Sequence, residues 1–350
     1  ILSETAAFSL KSSLVYFRFG IFSLAVWFII DHQKNFMKFF FYALLSAYAI
    51  ATIDGYFQYF FDYGIFGSNA ANESRLALTF NDKMILGGYL SRLFPLLIAM
   101  VIFLSFEKRN QNLLLYSFII LLMVSTDILV YVSGERTAVG LMSITTILMI
   151  IFISKLRILR ILSFFVSIMI IIFLTFSSSN IKERSIDLTL NQMNVGSESG
   201  DLNYLSQQHE NHILSSWKIF LDNPIIGSGP NTFRKICHID DYNINSYACS
   251  THPHNLYLQL LAETGIVGFF FLFISLLYSI KFFTYHFIFL YIYKKENLSD
   301  FQVCLMISFI LTLFPFLPTL NFFNNWNNIL YYLPVGFYLF SIYSKSLEKI

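Results

Sequence analysis

The sequence predicts an all-α, polytopic transmembrane helix bundle with a large external loop that carries short helices. Three observations carry that expectation. The 350 residues are 56% hydrophobic and only 13% charged, whereas a soluble domain carries about 25% charged residues. Apolar runs long enough for a bilayer core about 30 Å thick recur along the chain. The polar chemistry gathers in one long stretch, residues 178–253. The 41 Phe and 21 Tyr suit lipid-facing helices with aromatic residues near the headgroups. With a net charge of only +2, nothing suggests a global basic surface for nucleic acid.

The spans are expected near 14–30, 36–53, 86–105, 113–132, 138–154, 161–177, 258–280, 301–318 and 328–344. Residues 282–293 are apolar but too short to cross, and read as an interfacial piece or an extension of a neighbouring helix. Grouped by region, 1–177 holds the first transmembrane helices, 178–257 the external loop and 258–350 the last helices. Orientation follows Lys and Arg. Lys34 and Lys38, Lys108 and Arg109, Lys155, Arg157 and Arg160, Lys281, Lys294 and Lys295, then Lys345 and Lys349 fall on alternating connections. That set is assigned to the cytoplasm, with the C-terminus. Ile1 is thereby outside, and an external start with no signal-peptide pattern suggests further helices upstream.

Within the loop, Ser178 to Asn211 is rich in Ser, Asn, Gln and Glu, with Gly196 and Gly200, and is expected to be mobile. Ile213, Trp217 and Phe220 then recur at helical spacing, as in an amphipathic helix lying on the membrane face. Asp222-Asn223-Pro224 ends it. Gly227-Ser228-Gly229-Pro230 follows, either a plain turn or a turn whose free N–H groups hold an anion. Cys237 and Cys249 share this loop; on the oxidising side of a membrane they can bridge, or remain two thiols. Cys304 lies in a span as a small packing residue. His209, Glu210, His212 and His238 invite a metal reading, but their spacing matches no strong ligand signature.

The chain re-enters the membrane through Thr251-His252-Pro253-His254-Asn255. Pro253 rigidifies the entry, and Gly265 and Gly268, one turn apart, permit close helix contact. His254-Asn255, nine residues, then Gly265-Ile266-Val267-Gly268 resembles the signature of the O-antigen ligase and polymerase superfamily. The run from Asp222 to Pro230 is similar to a second stretch of these families. Ser133-Gly134-Glu135-Arg136-Thr137-Ala138 is similar to a third, a turn between two spans. Phe269 departs from the small or β-branched residue that ligases often carry there.

The resemblance implies a membrane glycosyltransferase of the bacterial inner membrane, multi-pass with a cytoplasmic C-terminus and a periplasmic loop. It implies transfer of a glycan from undecaprenyl pyrophosphate to lipid A–core, without metal or cofactor. The alternatives are an O-antigen or exopolysaccharide polymerase joining lipid-linked repeat units, and a transporter of the same lipid. A transporter usually shows internal repeats, and none is visible here. The expected partners are the lipid-linked donor, a lipid A–core or lipid-linked acceptor, and membrane lipids, with no nucleic acid.

Such a transfer needs cations for the leaving pyrophosphate and a base for the acceptor hydroxyl. Arg136 is the candidate for the phosphates, since its planar guanidinium matches phosphate oxygens; Glu135 orients it or is solvated. Arg75 and Arg92 are further substrate-binding candidates. Arg92 lies inside a span, where a charge points to function or to a structural pair with Asp127. Arg18 reads as an anchor. His254 is the candidate base, or a donor to acceptor or phosphate. His252, Asn255, Gly227 and Gly229 are assigned to substrate binding, and Gly265, Gly268, Cys237 and Cys249 to structure. Glu263 falls on another helix face and is expected to make a structural hydrogen bond.

Overall fold

The computed structural model describes residues 6–67, 75–76, 85–106, 112–195, 202–203, 206–245 and 247–344. Expectations resting on Ile1, Lys108, Arg109, Gly196, Gly200, Lys345 and Lys349 lie outside the described residues. Regular structure within them is helical throughout. In chain order the helices are α1 (Ala6–Leu14), α2 (Arg18–His32), α3 (Phe36–Phe61), α4 (Leu86–Val101), α5 (Leu113–Val132), α6 (Arg136–Phe152) and α7 (Arg157–Ser177). The loop carries α8 (Ser179–Lys182), α9 (Leu188–Gln192), α10 (Gln207–Asp222) and α11 (Phe233–Ile236). The chain continues with α12 (Leu256–Phe287), α13 (Asp300–Leu313) and α14 (Asn325–Tyr343).

Six helical runs among the described residues are long and apolar enough to cross a membrane: Ala6–His32, Phe36–Phe61, Leu86–Ser105, Leu113–Val132, Arg157–Ser177 and Leu256–Tyr291. The runs expected over 138–154 and 301–318 fold as the shorter apolar helices α6 and α13. The run over 328–344 folds as α14, which carries Pro334 inside it, and is not among the six. Residues 282–293 extend α12 through a π-turn, Ile288–Ile292. The stretch after Ser178, expected to be mobile, is helical from Ser179 to Gln192; the Ser178 hydroxyl caps α8 by accepting from the Ile181 N–H.

The helices divide into two units. The first comprises residues 1–25, 189–282 and 312–336, and the second residues 26–188, 283–311 and 337–350. In the second unit α5 packs along α7 and α4 along α6. α4 is its most enclosed helix, with Leu90, Phe94, Leu96, Leu97 and Ile98 fully buried. A bidentate ion pair ties α7 to α5: Arg160 donates to both Asp127 oxygens at 2.9 Å, and Ser167 donates to Asp127 at 2.9 Å. Arg160 is 0% exposed. It is therefore not one of the loop cations expected to set orientation. Asp127, weighed from the sequence as a partner for Arg92, has both oxygens paired with the Arg160 guanidinium.

In the first unit the segment after α10 is laced to the first turns of α12. Ser228 and Gly229 donate their N–H groups to the Ala262 and Glu263 carbonyls, each at 2.9 Å, and Ile266 donates to Pro224 at 2.9 Å. The lacing is possible because α12 is broken at Gly265, whose φ of 63° and ψ of −165° are not helical. Cys237 and Cys249 are bridged, with Cα atoms 5.3 Å apart. Cys237 is buried with Ile219, Phe233 and Ala262.

Candidate functional site

Histidine chemistry in the first unit begins with local backbone. Pro253 fixes the chain before His254, which holds a left-handed φ of 55°. Few non-glycine residues adopt that region, histidine more readily than most. The His254 carbonyl accepts from the Thr319 N–H at 2.8 Å. His252 Nε2 lies 3.1 Å from the Thr319 carbonyl, so that nitrogen carries the proton and Nδ1 accepts from the Thr251 hydroxyl at 3.0 Å. His252, assigned to substrate from the sequence, therefore has both nitrogens engaged in holding the loop.

α10 brings two more imidazoles to the same place. Ser206 caps this helix, and its hydroxyl lies 2.7 Å from His209 Nδ1. The His212 ring stacks on His254 at 5.5 Å between centroids, His209 meets His254 edge-on at 5.7 Å, and His252 lies 4.1 Å away. Burial and neighbouring imidazoles push His254 down to about 3, and His252 and His212 to about 4. His212, His252 and His254 are thus neutral near pH 7 and offer lone pairs rather than charge. His209, Pro253 and His254 line a small cleft with Phe316 and Pro318.

Several residues expected at substrate have other partners. Asn255 caps α12: its side-chain oxygen accepts from Tyr257 and Leu258, at 3.0 and 3.1 Å, and its amide donates to the Pro315 carbonyl at 3.0 Å. The N–H groups of Gly227, Ser228 and Gly229 are all donated to backbone carbonyls, which corrects the anion-holding reading of that turn. A Cβ on Gly227 would fall on the Glu263–Thr264 peptide, and one on Gly265 would fall on the Ile225 carbonyl. Gly265 thus admits a loop rather than a second helix, and Gly268 abuts the Thr264 side chain of its own helix. Glu263 accepts from the Phe233 N–H at 2.8 Å and from Gln259 at 3.0 Å, the structural role expected of it.

The second unit holds a separate group of cations. Ser133-Gly134-Glu135 joins α5 to α6, and Gly134 takes a φ of 72° that lets the turn reverse so tightly. Arg136 follows as the first residue of α6. Arg184, from the π-turn after α8, donates Nε to the Gly134 carbonyl at 3.3 Å. Arg75 and Arg184 line a cavity of about 300 Å³ with Gln58, Asp62 and Tyr131. Burial, Arg75 and Arg136 together pull the Arg184 guanidinium down to about 10. Three cations are thus held within electrostatic reach of one another, an arrangement that favours a bound anion.

Glu135 is engaged with the start of α4. Its two oxygens accept from the Gly87 and Gly88 N–H groups at the start of α4, at 2.7 and 3.1 Å. A Cβ on Gly88 would meet both Arg92 and Glu135, which puts that pair against bare backbone. Burial pushes the Glu135 carboxyl up to about 7, opposed by the two N–H groups, Arg92 and Arg75.

Residues 118–273 match the family model described as O-antigen ligase. Over that stretch the chain is similar to the O-antigen ligase family. The match takes in the Arg136 turn, Arg184, the histidine cluster and the Gly227–Gly265 contact, and leaves Arg75 and Arg92 outside. No curated protein and no solved structure matches the chain. The sequence hides two parts of this chemistry. Arg184 lies in a polar stretch with no local pattern, and only folding brings it to Gly134. His209 and His212, 45 and 42 residues before His254 along the chain, join it only because α10 packs there.

Proposed function

We propose that this chain is a glycosyltransferase that moves a glycan from undecaprenyl pyrophosphate to lipid A–core on the periplasmic face of a bacterial inner membrane. The match of residues 118–273 to the O-antigen ligase family model supports ligase- or polymerase-type action on lipid-linked glycans. The observation that carries the proposal is the arginine group beside the cavity of the second unit. A pyrophosphate leaving group takes the bonding electron pair as the anomeric C–O bond breaks. Arg75, Arg136 and Arg184 would neutralise that charge as it develops, and fixed guanidinium groups do this without a metal. Arg92 acts behind them through Glu135.

In the first unit, neutral His254 offers the lone pair that takes the proton of the acceptor hydroxyl. The imidazolium so formed is costly in a buried cluster. Proton transfer therefore accompanies bond formation rather than preceding it. His252 is a positioning residue that holds the loop of His254 to Thr319.

The test uses a host lacking its own O-antigen ligase, with wild type, His254→Asn, Arg136→Ala and Arg184→Ala at matched membrane levels. Asn suits the left-handed backbone at 254 and isolates the imidazole. Wild type is expected to attach the glycan ladder to lipid A–core, and each variant to lose at least about tenfold, the order of one lost acid–base or oxyanion contact. If wild type instead lengthens lipid-linked chains, the polymerase takes the place of the ligase. Full activity in all three variants refutes the assignment of these residues.

A further inference from the structure

α12 is 32 residues long, about 48 Å at 1.5 Å per residue, while a bilayer core is about 30 Å thick. Its break at Gly265 separates two kinds of surface. Before the break Leu256, Gln259, Leu260, Ala262 and Glu263 are buried in protein. After it Ile266, Val267, Phe270 and Phe271 are exposed, as befits a helix facing acyl chains. From Gly265 to Phe287 runs about 23 residues, roughly 35 Å, a length that matches the core. The break therefore marks where the helix passes from the headgroup layer into hydrocarbon.

The lacing of the preceding segment to this break fixes the depth of its neighbours. Val267 donates to the Ile225 carbonyl at 3.3 Å and Ile266 to the Pro224 carbonyl. Ile225 and Ile226 are 66% and 53% exposed. The apolar surface continues up α10: Leu221, Trp217 and Leu214, spaced by four and three residues, are all exposed. The opposite face of α10, with His212, Ser215, Ser216 and Ile219, is buried. Lys218, beside Trp217, turns away to the Asp241 carbonyl.

We infer that α10 and the Ile225–Ile226 turn are an interfacial membrane anchor, with Leu214, Trp217, Leu221, Ile225 and Ile226 inserted among the lipids at the Gly265 end of α12. The occupant of this surface is the bilayer itself, because the surface is continuous with the lipid-facing side of a span. The anchor presses the His209–His212 face of α10 onto His254 at headgroup depth. This inference does not depend on which reaction the chain catalyses.

The test removes two of the three tryptophans, Trp27→Phe and Trp326→Phe, leaving Trp217. The protein is placed in phosphatidylcholine–phosphatidylglycerol vesicles whose acyl chains are brominated near the headgroup or near the midplane. Trp217 emission is expected to be quenched more by the shallow bromines than by the deep ones, and little by aqueous iodide. Ready quenching by iodide, or insensitivity to every quencher, overturns the inference, the latter by pointing to a protein partner. A second measurement leaves the tryptophans intact. A nitroxide on Leu221→Cys, with Cys304→Ser, is expected to collide more with oxygen than with a water-soluble nickel chelate, and the reverse order also overturns the inference.

Discussion

At Gly227 and Gly265 two backbones meet without side chains between them, and each glycine has a positive φ, 70° and 63°. An alanine at Gly227 would cost about 1–2 kcal/mol in backbone alone and would press on the Glu263–Thr264 peptide besides. Trypsin is therefore expected to cleave Gly227→Ala after Arg234 or Lys235 at least roughly tenfold faster than wild type, a ratio equal to about 1.4 kcal/mol. Gly20→Ala, with nothing near its Cβ, should match wild type. Glu135 gives a residue-scale prediction in pH. Its folded value of about 7 lies above the usual 4.5. The stability it contributes is complete below about 4.5 and is lost as pH rises through about 7. Its negative charge, which faces Arg75 and Arg92, appears over the same upper range. Transfer activity is expected to rise as pH passes about 7, and Glu135→Gln should flatten that limb in a pH–rate profile.

The helices themselves are the part of this protein most legible in sequence, because a bilayer demands long apolar runs and tolerates little else. The ion pair inside α5 and α7 shows where that logic stops. Arg160 follows Lys155 and Arg157, so charge counting assigns it to a connection, yet it is buried against Asp127. Hydropathy treats a charge as surface, and nothing in the spacing of residues 127 and 160 announces a bidentate pair. Removing one partner leaves a buried charge, at about 3–5 kcal/mol, whereas replacing both with apolar residues is often nearly neutral. Asp127→Ala is expected to unfold at clearly lower temperature in detergent, and Asp127→Leu with Arg160→Leu to recover most of the loss. Equal melting of wild type and Asp127→Ala would show the pair to be inert. The turn at Gly227 was legible as a turn, but its partner at Gly265 was not, since residue spacing does not report which loop enters a broken helix.

Over the whole molecule, the two units carry different chemistry: cations beside a cavity in the second, clustered imidazoles behind an amphipathic helix in the first. The motifs at Arg136 and His254 were legible because each is short and local. Arg184 and the α10 histidines were not, because their neighbours lie far away in the chain. The Cys237–Cys249 bridge adds a consequence for the living cell. Closing a loop of this size stabilises a fold by about 3 kcal/mol, and this loop backs onto the segment that leads to His252 and His254. With the loop on the periplasmic face, as proposed, maturation of the protein depends on a supply of oxidising equivalents. Cells grown with a thiol reductant should display less transferred glycan, and cells carrying Cys237→Ala with Cys249→Ala should display the same low amount with or without it. Surface sugar in such a cell becomes a readout of how well the compartment oxidises its thiols.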